Sequence, residues 1–126
     1  MDEKTLNKYF RDLKFVVLAN IKTGKAFEIF FDFHLPSMHS EIFAVAKEQF
    51  SKQGIDISVH GGGRITKKDN YIIFHGTSQK YKRYEDDVVL SLAEKHPIFK
   101  ENNFVFLSKA GEDNFSKIIE RYEKQD

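Results

Sequence analysis

Cysteine and tryptophan are absent from this chain of 126 residues, and it has only two prolines. Without cysteine there is no disulfide framework and no thiol nucleophile, so any reaction through a covalent thiol intermediate is excluded. Long apolar runs are also missing. Nothing approaches the roughly 18 consecutive apolar residues of a membrane-spanning helix, and Met1-Asp2-Glu3-Lys4 opens no secretory apolar core. Charge of one sign is missing too, with 20 Lys and Arg against 19 Asp and Glu, a net charge of +1. Neither nucleic acid nor a membrane surface is therefore an expected partner. The expectation is a cytoplasmic, monomeric protein.

What the chain does have is phenylalanine, 13 of them, in a sequence that is 40% hydrophobic and 31% charged. That composition describes one globular domain with a phenylalanine-rich core. Leu6, Tyr9, Phe10 and Leu13 fall at helical spacing, which predicts a short helix over residues 3–12. Lys14 to Ile21 reads as a buried strand, Lys22-Thr23-Gly24-Lys25 as a turn, and Ala26 to Phe33 as its partner. Further on, Lys67-Lys68-Asp69-Asn70 reads as a turn before the strand Tyr71–His75. A helix is expected from Tyr84 to Lys95, stopped by Pro97, and a strand from Phe104 to Leu107. Phe115, Ile118, Ile119 and Tyr122 form the apolar stripe of a last helix, over about 112–124. These elements predict an α+β domain spanning 1–126, a mixed sheet of five or six strands with helices on its faces.

The stretch from Ser37 to Arg64 carries the chemistry. Pro36 and Ser37 announce a helix start, and Ile42, Phe43, Ala46 and Phe50 keep helical spacing until Gly54. Ile55, Ile57 and Val59 then alternate as a strand and run into Gly61-Gly62-Gly63-Arg64. The triplet is not a Walker loop, because the GxxxxGK[ST] spacing is missing. It reads as a tight, bulged connection where backbone is approached closely. His39 falls in the first turn of the helix, where the dipole disfavours imidazolium and unpaired N–H groups favour an anion such as phosphate. A neutral histidine beside an anion site suits proton transfer on phosphate.

His39, the 21 residues between it and Gly61, and the run Lys52-Gln53-Gly54…Gly61-Gly62-Gly63-Arg64-Ile65 resemble the Janus/Ocnus family. The similarity extends back to Lys14-Phe15-Val16-Val17-Leu18 and forward to Gly76-Thr77-Ser78, fading after about Phe106. The resemblance implies hydrolysis of phosphohistidine, or of phospholysine, in a phosphorylated protein, with His39 as the base that activates water. It also implies that Lys14 lies near the phosphate and that backbone N–H groups around Met38–Ser40, Ser78 and Lys80 hold it. The alternative is a non-catalytic phosphate- or phosphoprotein-binding module of the same fold.

Departures from the family are local. Met38 and Ser40 stand where it carries a tyrosine and an alanine, Lys80 where it has a small residue, and Phe31 where an arginine recognises the protein substrate. Arg64 either anchors the site or braces the sheet. Lys67, Lys68, Lys80, Lys82 and Arg83 read as a basic rim. His34, His60, His75 and His96 lack acidic residues at ligand-like intervals, so no metal and no other cofactor is expected. Any hydrolysis should accordingly persist in a chelator, measured as phosphate release with and without EDTA. Strict dependence on an added divalent ion would contradict this.

Overall fold

The computed structural model describes residues 2–34 and 38–107. The expected C-terminal helix and the start signal at Pro36 and Ser37 lie outside them. The N-terminal helix α1 (Glu3–Tyr9) is capped by Asp2, whose carboxylate accepts the Thr5 N–H at 2.8 Å. It stops short of residue 12 because the Phe10 carbonyl accepts the N–H of Lys67 at 2.7 Å and the Phe10 ring is wholly buried. Asp12 then turns the chain in the left-handed region, at φ 52°.

Strand β1 (Leu13–Asn20) pairs antiparallel with β2 (Ala26–Phe30) on one side and with β3 (Ile57–Lys68) on the other. Beyond β3 lies β4 (Tyr71–His75), antiparallel to it, and then β5 (Asn103–Phe106), parallel to β4. Among the described residues the sheet has five strands, in the order β2-β1-β3-β4-β5. Helix α2 (His39–Ser51) joins β2 to β3, and α3 (Asp86–Ala93) makes the crossover that a parallel β4–β5 pair requires. Among the described residues no helix is long and apolar enough to cross a membrane.

Two layers of core follow from strand alternation. On one face, Leu13, Phe15, Val17, Ile65, Ile72 and Phe74 pack with Phe10, Tyr84, Val89 and Phe99, beneath α1 and α3. Phe31 and Phe33 leave the sheet to join this layer, their rings 5.1 and 5.2 Å from that of Phe10, which is why β2 ends at Phe30. On the other face, Val16, Leu18 and Ile57 pack against Ile42 and Ala46 of α2. The described residues form one α+β domain, the fold class that the patterning predicts.

Several expectations are corrected. The glycine triplet is not a connection between elements: Gly61, Gly62 and Gly63 lie inside the long strand β3. The expected bulge is there, since Val16 pairs with Gly62 and Leu18 with Val59, leaving His60 and Gly61 opposite Val17 alone. Lys67 and Lys68 belong to β3 rather than to a turn, and Asp69-Asn70 alone connect it to β4. Lys67 is not part of a solvated rim either. Its side chain is buried, and its ammonium donates to Asn7 Oδ1 at 3.0 Å, to Glu3 Oε1 at 3.4 Å and to the Asp69 carbonyl. Helix α3 begins at Asp86 rather than at Tyr84, because Tyr84 is a core residue.

The triplet's lack of side chains lets the loop between β4 and α3 lie against β3. Gly62 donates its N–H to the Lys82 carbonyl at 3.0 Å, and a Cβ on Gly61 would stand 2.6 Å from Tyr84 Cα. A Cβ on Gly63 would stand 2.5 Å from Tyr84 Cε1. Arg83 fastens the loop from outside, donating to Asp86 Oδ1 at 2.8 Å and to the Leu107 carbonyl at 3.1 Å, so it too is a structural cation. Gly61→Ala should cost about 2–4 kcal/mol, because its φ of 98° and its backbone neighbours both resist a side chain. Gly24→Ala, strained at φ 71° but with open space around it, should cost about 1–2 kcal/mol. Urea denaturation of both variants measures the difference, and equal losses would contradict the packing account.

Candidate functional site

The middle glycine faces the α2 side of the sheet. A Cβ on Gly62 would lie 2.9 Å from the Phe15 carbonyl, 3.0 Å from His39 Cδ2 and 3.2 Å from Ser78 Cβ. His39 and Ser78 therefore flank one bare strip of strand backbone. His39 reaches it because α2 begins with that residue and packs over β1 and β3. Met38 occupies the N-cap in extended conformation and makes no side-chain cap bond, so the cap expected of Ser37 falls on a residue that cannot supply one. The N–H groups of Glu41 and Ile42 turn back to the Met38 carbonyl, at 3.1 and 3.2 Å. Those of His39 and Ser40 precede any intrahelical acceptor, the kind of N–H groups that favour an anion at a helix start.

The imidazole of His39 is half-buried, and its Nε2 lies 2.9 Å from the Gly63 carbonyl. A carbonyl only accepts, so Nε2 carries the proton and Nδ1 keeps the lone pair. Burial pushes the ring's pKa below the ordinary histidine value; the Gly63 carbonyl opposes this, and the charges of Lys14 and Arg64 reinforce it. The neutral ring anticipated from the helix dipole is thus obtained mainly by desolvation and two cations.

Those cations are placed by strand register. Lys14 of β1 pairs directly with Arg64 of β3, so both side chains stand on the face that carries His39. Like charges directly opposite in a sheet repel, and a bound anion would relieve that repulsion. Register sets Arg64 between Lys14 of β1 and His75 of β4. Its stem also passes over Gly76, where a Cβ would come 3.6 Å from its Cγ.

Ser78 is buried, and its hydroxyl accepts the Tyr81 N–H at 3.1 Å, so its side chain closes a turn. Lys80 is exposed, with its ammonium 5.6 Å from the centre of the Tyr81 ring. No contact joins that ammonium to His39. Met38 is exposed beside the site, whereas Phe31 lies in the aromatic layer on the opposite face, between Phe10 and Phe99. His96 stacks on Phe99 at 4.4 Å and belongs to the same layer.

Sequence reasoning missed a polar cluster next to Arg64. His75 pairs with Arg64 across β3 and β4, its Nε2 lies 2.8 Å from Thr66 Oγ1, and Asp12 Oδ1 is 3.5 Å away. Only the strand register, absent from a linear pattern, could have found it.

The sequence model of the Janus/Ocnus family (Ocnus) matches residues 5–102. That span covers β1, the helix bearing His39, the glycine strand and the Ser78 loop, so the chain belongs to the Janus/Ocnus family. No curated protein matches it.

The electrostatics can be measured. His39 should titrate below the usual histidine range, and Lys14→Gln should move its pKa upward by removing a neighbouring cation. Because the folded value is depressed, the neutral ring contributes stability that is fully present above the unfolded pKa of about 6.5 and lost as pH falls through the folded pKa. NMR titration of the ring protons checks both signs. A pKa unmoved or lowered in Lys14→Gln would contradict the placement.

Proposed function

We propose that the protein hydrolyses the P–N bond of phosphohistidine in a protein substrate, phospholysine being the related alternative, with His39 as general base. The observation that supports this most is the hydrogen bond from His39 Nε2 to the Gly63 carbonyl beside the Lys14–Arg64 pair. It fixes the tautomer whose Nδ1 can accept a proton. In the proposed step the phosphoryl group binds at the α2 N-terminus with Lys14 and Arg64. A water oxygen attacks phosphorus and gives its proton to Nδ1. The P–N bond breaks, and the substrate imidazole, already protonated from solvent on its other nitrogen, leaves as the neutral ring with the bonding pair, while Nδ1 later returns its proton to solvent. A bound phosphate also offsets the two cations that hold His39 neutral, so the ring becomes more basic when substrate is present. The cations stabilise charge as it builds on the phosphoryl oxygens.

A phosphate-binding module without turnover is the second reading. It is favoured by the position of Phe31, which packs in the core where the family places a substrate-recognising arginine. His39→Ala separates the two. The variant keeps the helix N–H groups and both cations, so it should still bind phosphate while cleaving a phosphohistidine peptide at least about a hundredfold more slowly. Phosphoserine peptides should be poor substrates for both, since an alkoxide leaves less readily than a protonated imidazole. A wild type that binds phosphate but releases none from phosphohistidine supports the module. Normal turnover in His39→Ala would assign the base elsewhere.

A further inference from the structure

Register places three basic side chains in one row. Lys14 on β1 pairs with Arg64 on β3, and Arg64 pairs with His75 on β4, so all three rise from the same sheet face at neighbouring positions. The first two stand beside His39; the third is the one member whose charge can change near neutral pH. Its surroundings are built for that change. The Asp12 N–H donates to Thr66 Oγ1 at 3.0 Å, which turns the Asp12 carboxylate toward the His75 ring, and Asp12 holds this pose at a φ of 52°. A neutral ring can accept the Thr66 hydroxyl proton at Nε2, and a protonated ring can donate from the same atom toward Thr66 and Asp12. Both forms therefore have a partner.

We propose that His75 is a third, proton-gated residue of the anion site, so that binding a phosphoryl group at Lys14 and Arg64 is coupled to uptake of a proton at His75. The proposal rests on the anion-binding part of the function proposed above. Among the described residues, the groups facing the ring include Asp12 from the α1–β1 turn and Arg64 and Thr66 from β3, with Lys14 one strand further along the row. On the β5 side Phe106 and Leu107 present no charge. Burial holds His75 below the ordinary histidine range; Asp12 opposes this and Arg64 adds to it. An anion on Arg64 cancels part of that cation's field. The His75 pKa then rises, and by linkage affinity for the anion increases as pH falls through it.

The test is titration of the full chain with inorganic phosphate, followed by amide NMR between about pH 8 and about pH 5, for the wild type, His75→Gln and Asp12→Asn. The ligand's own titration is common to all three and cancels in ratios. Wild type and His75→Gln should bind equally at the alkaline end, and the wild type about two- to fivefold more tightly at the acid end. Asp12→Asn should shift that gain to lower pH, because the carboxylate raises the His75 pKa. In the wild type alone, saturating phosphate must raise the pKa read from the His75 ring proton, which needs no variant to fold. A flat affinity ratio, or a His75 ring indifferent to phosphate, would overturn the coupling while leaving the anion site in place. Absence of any phosphate response around Lys14, Gly62 and Arg64 would overturn both.

Discussion

Three consecutive positions without a Cβ hold this molecule together. Gly61 and Gly63 admit Tyr84 and the backbone at Arg83 on one face of β3, and Gly62 admits His39 and Ser78 on the other. Tyr84 then fills the core between Phe15 and Phe74, its ring centre 5.1 Å from that of Phe15. A side chain at any of the three would push against backbone or a core ring rather than against the far end of a flexible side chain. Glycine weakens a strand through its entropy. Here the loss is offset by close packing of loop, helix and strand where His39 meets the sheet.

Charge is arranged around that backbone by strand register. Lys14 and Arg64 oppose each other directly, and His39 is held neutral by burial and by their fields. The cations that serve the fold are elsewhere: Lys67 is buried among α1 and the β3–β4 turn, and Arg83 ties Asp86 to the end of β5. Equal formal charges thus do different work according to which face of which strand presents them.

Much of this was legible in the sequence because it is local. The spacing of Ile42, Phe43, Ala46 and Phe50 finds α2, and valine- and isoleucine-rich runs find β1 and β4. His39 and the glycine triplet were read from their own neighbourhoods, Lys14 from the family resemblance, and register brings them together. What escaped is set by tertiary contact. The glycines look like a break, yet pairing with β1 and with the Ser78 loop keeps β3 continuous through them. Lys67 looks solvated, but the Phe10 carbonyl and the α1 side chains draw it inward. His75 is an ordinary strand end until the β3–β4 register sets it beside Arg64.

The central claim is that His39, held against the glycine strand beside Lys14 and Arg64, is the base that turns over a phosphoryl group bound at the start of α2. Gly62→Ala tests it most directly, since the added methyl would sit 3.0 Å from the His39 ring and 3.2 Å from Ser78. Release of phosphate from a phosphohistidine peptide should be compared with the wild type at a temperature where circular dichroism shows both folded. The account predicts a folded variant slowed by at least about tenfold, since a displacement near 1 Å at the reacting groups carries losses of that order or more. A folded Gly62→Ala protein as fast as an active wild type, or a wild type that releases no phosphate, would contradict it.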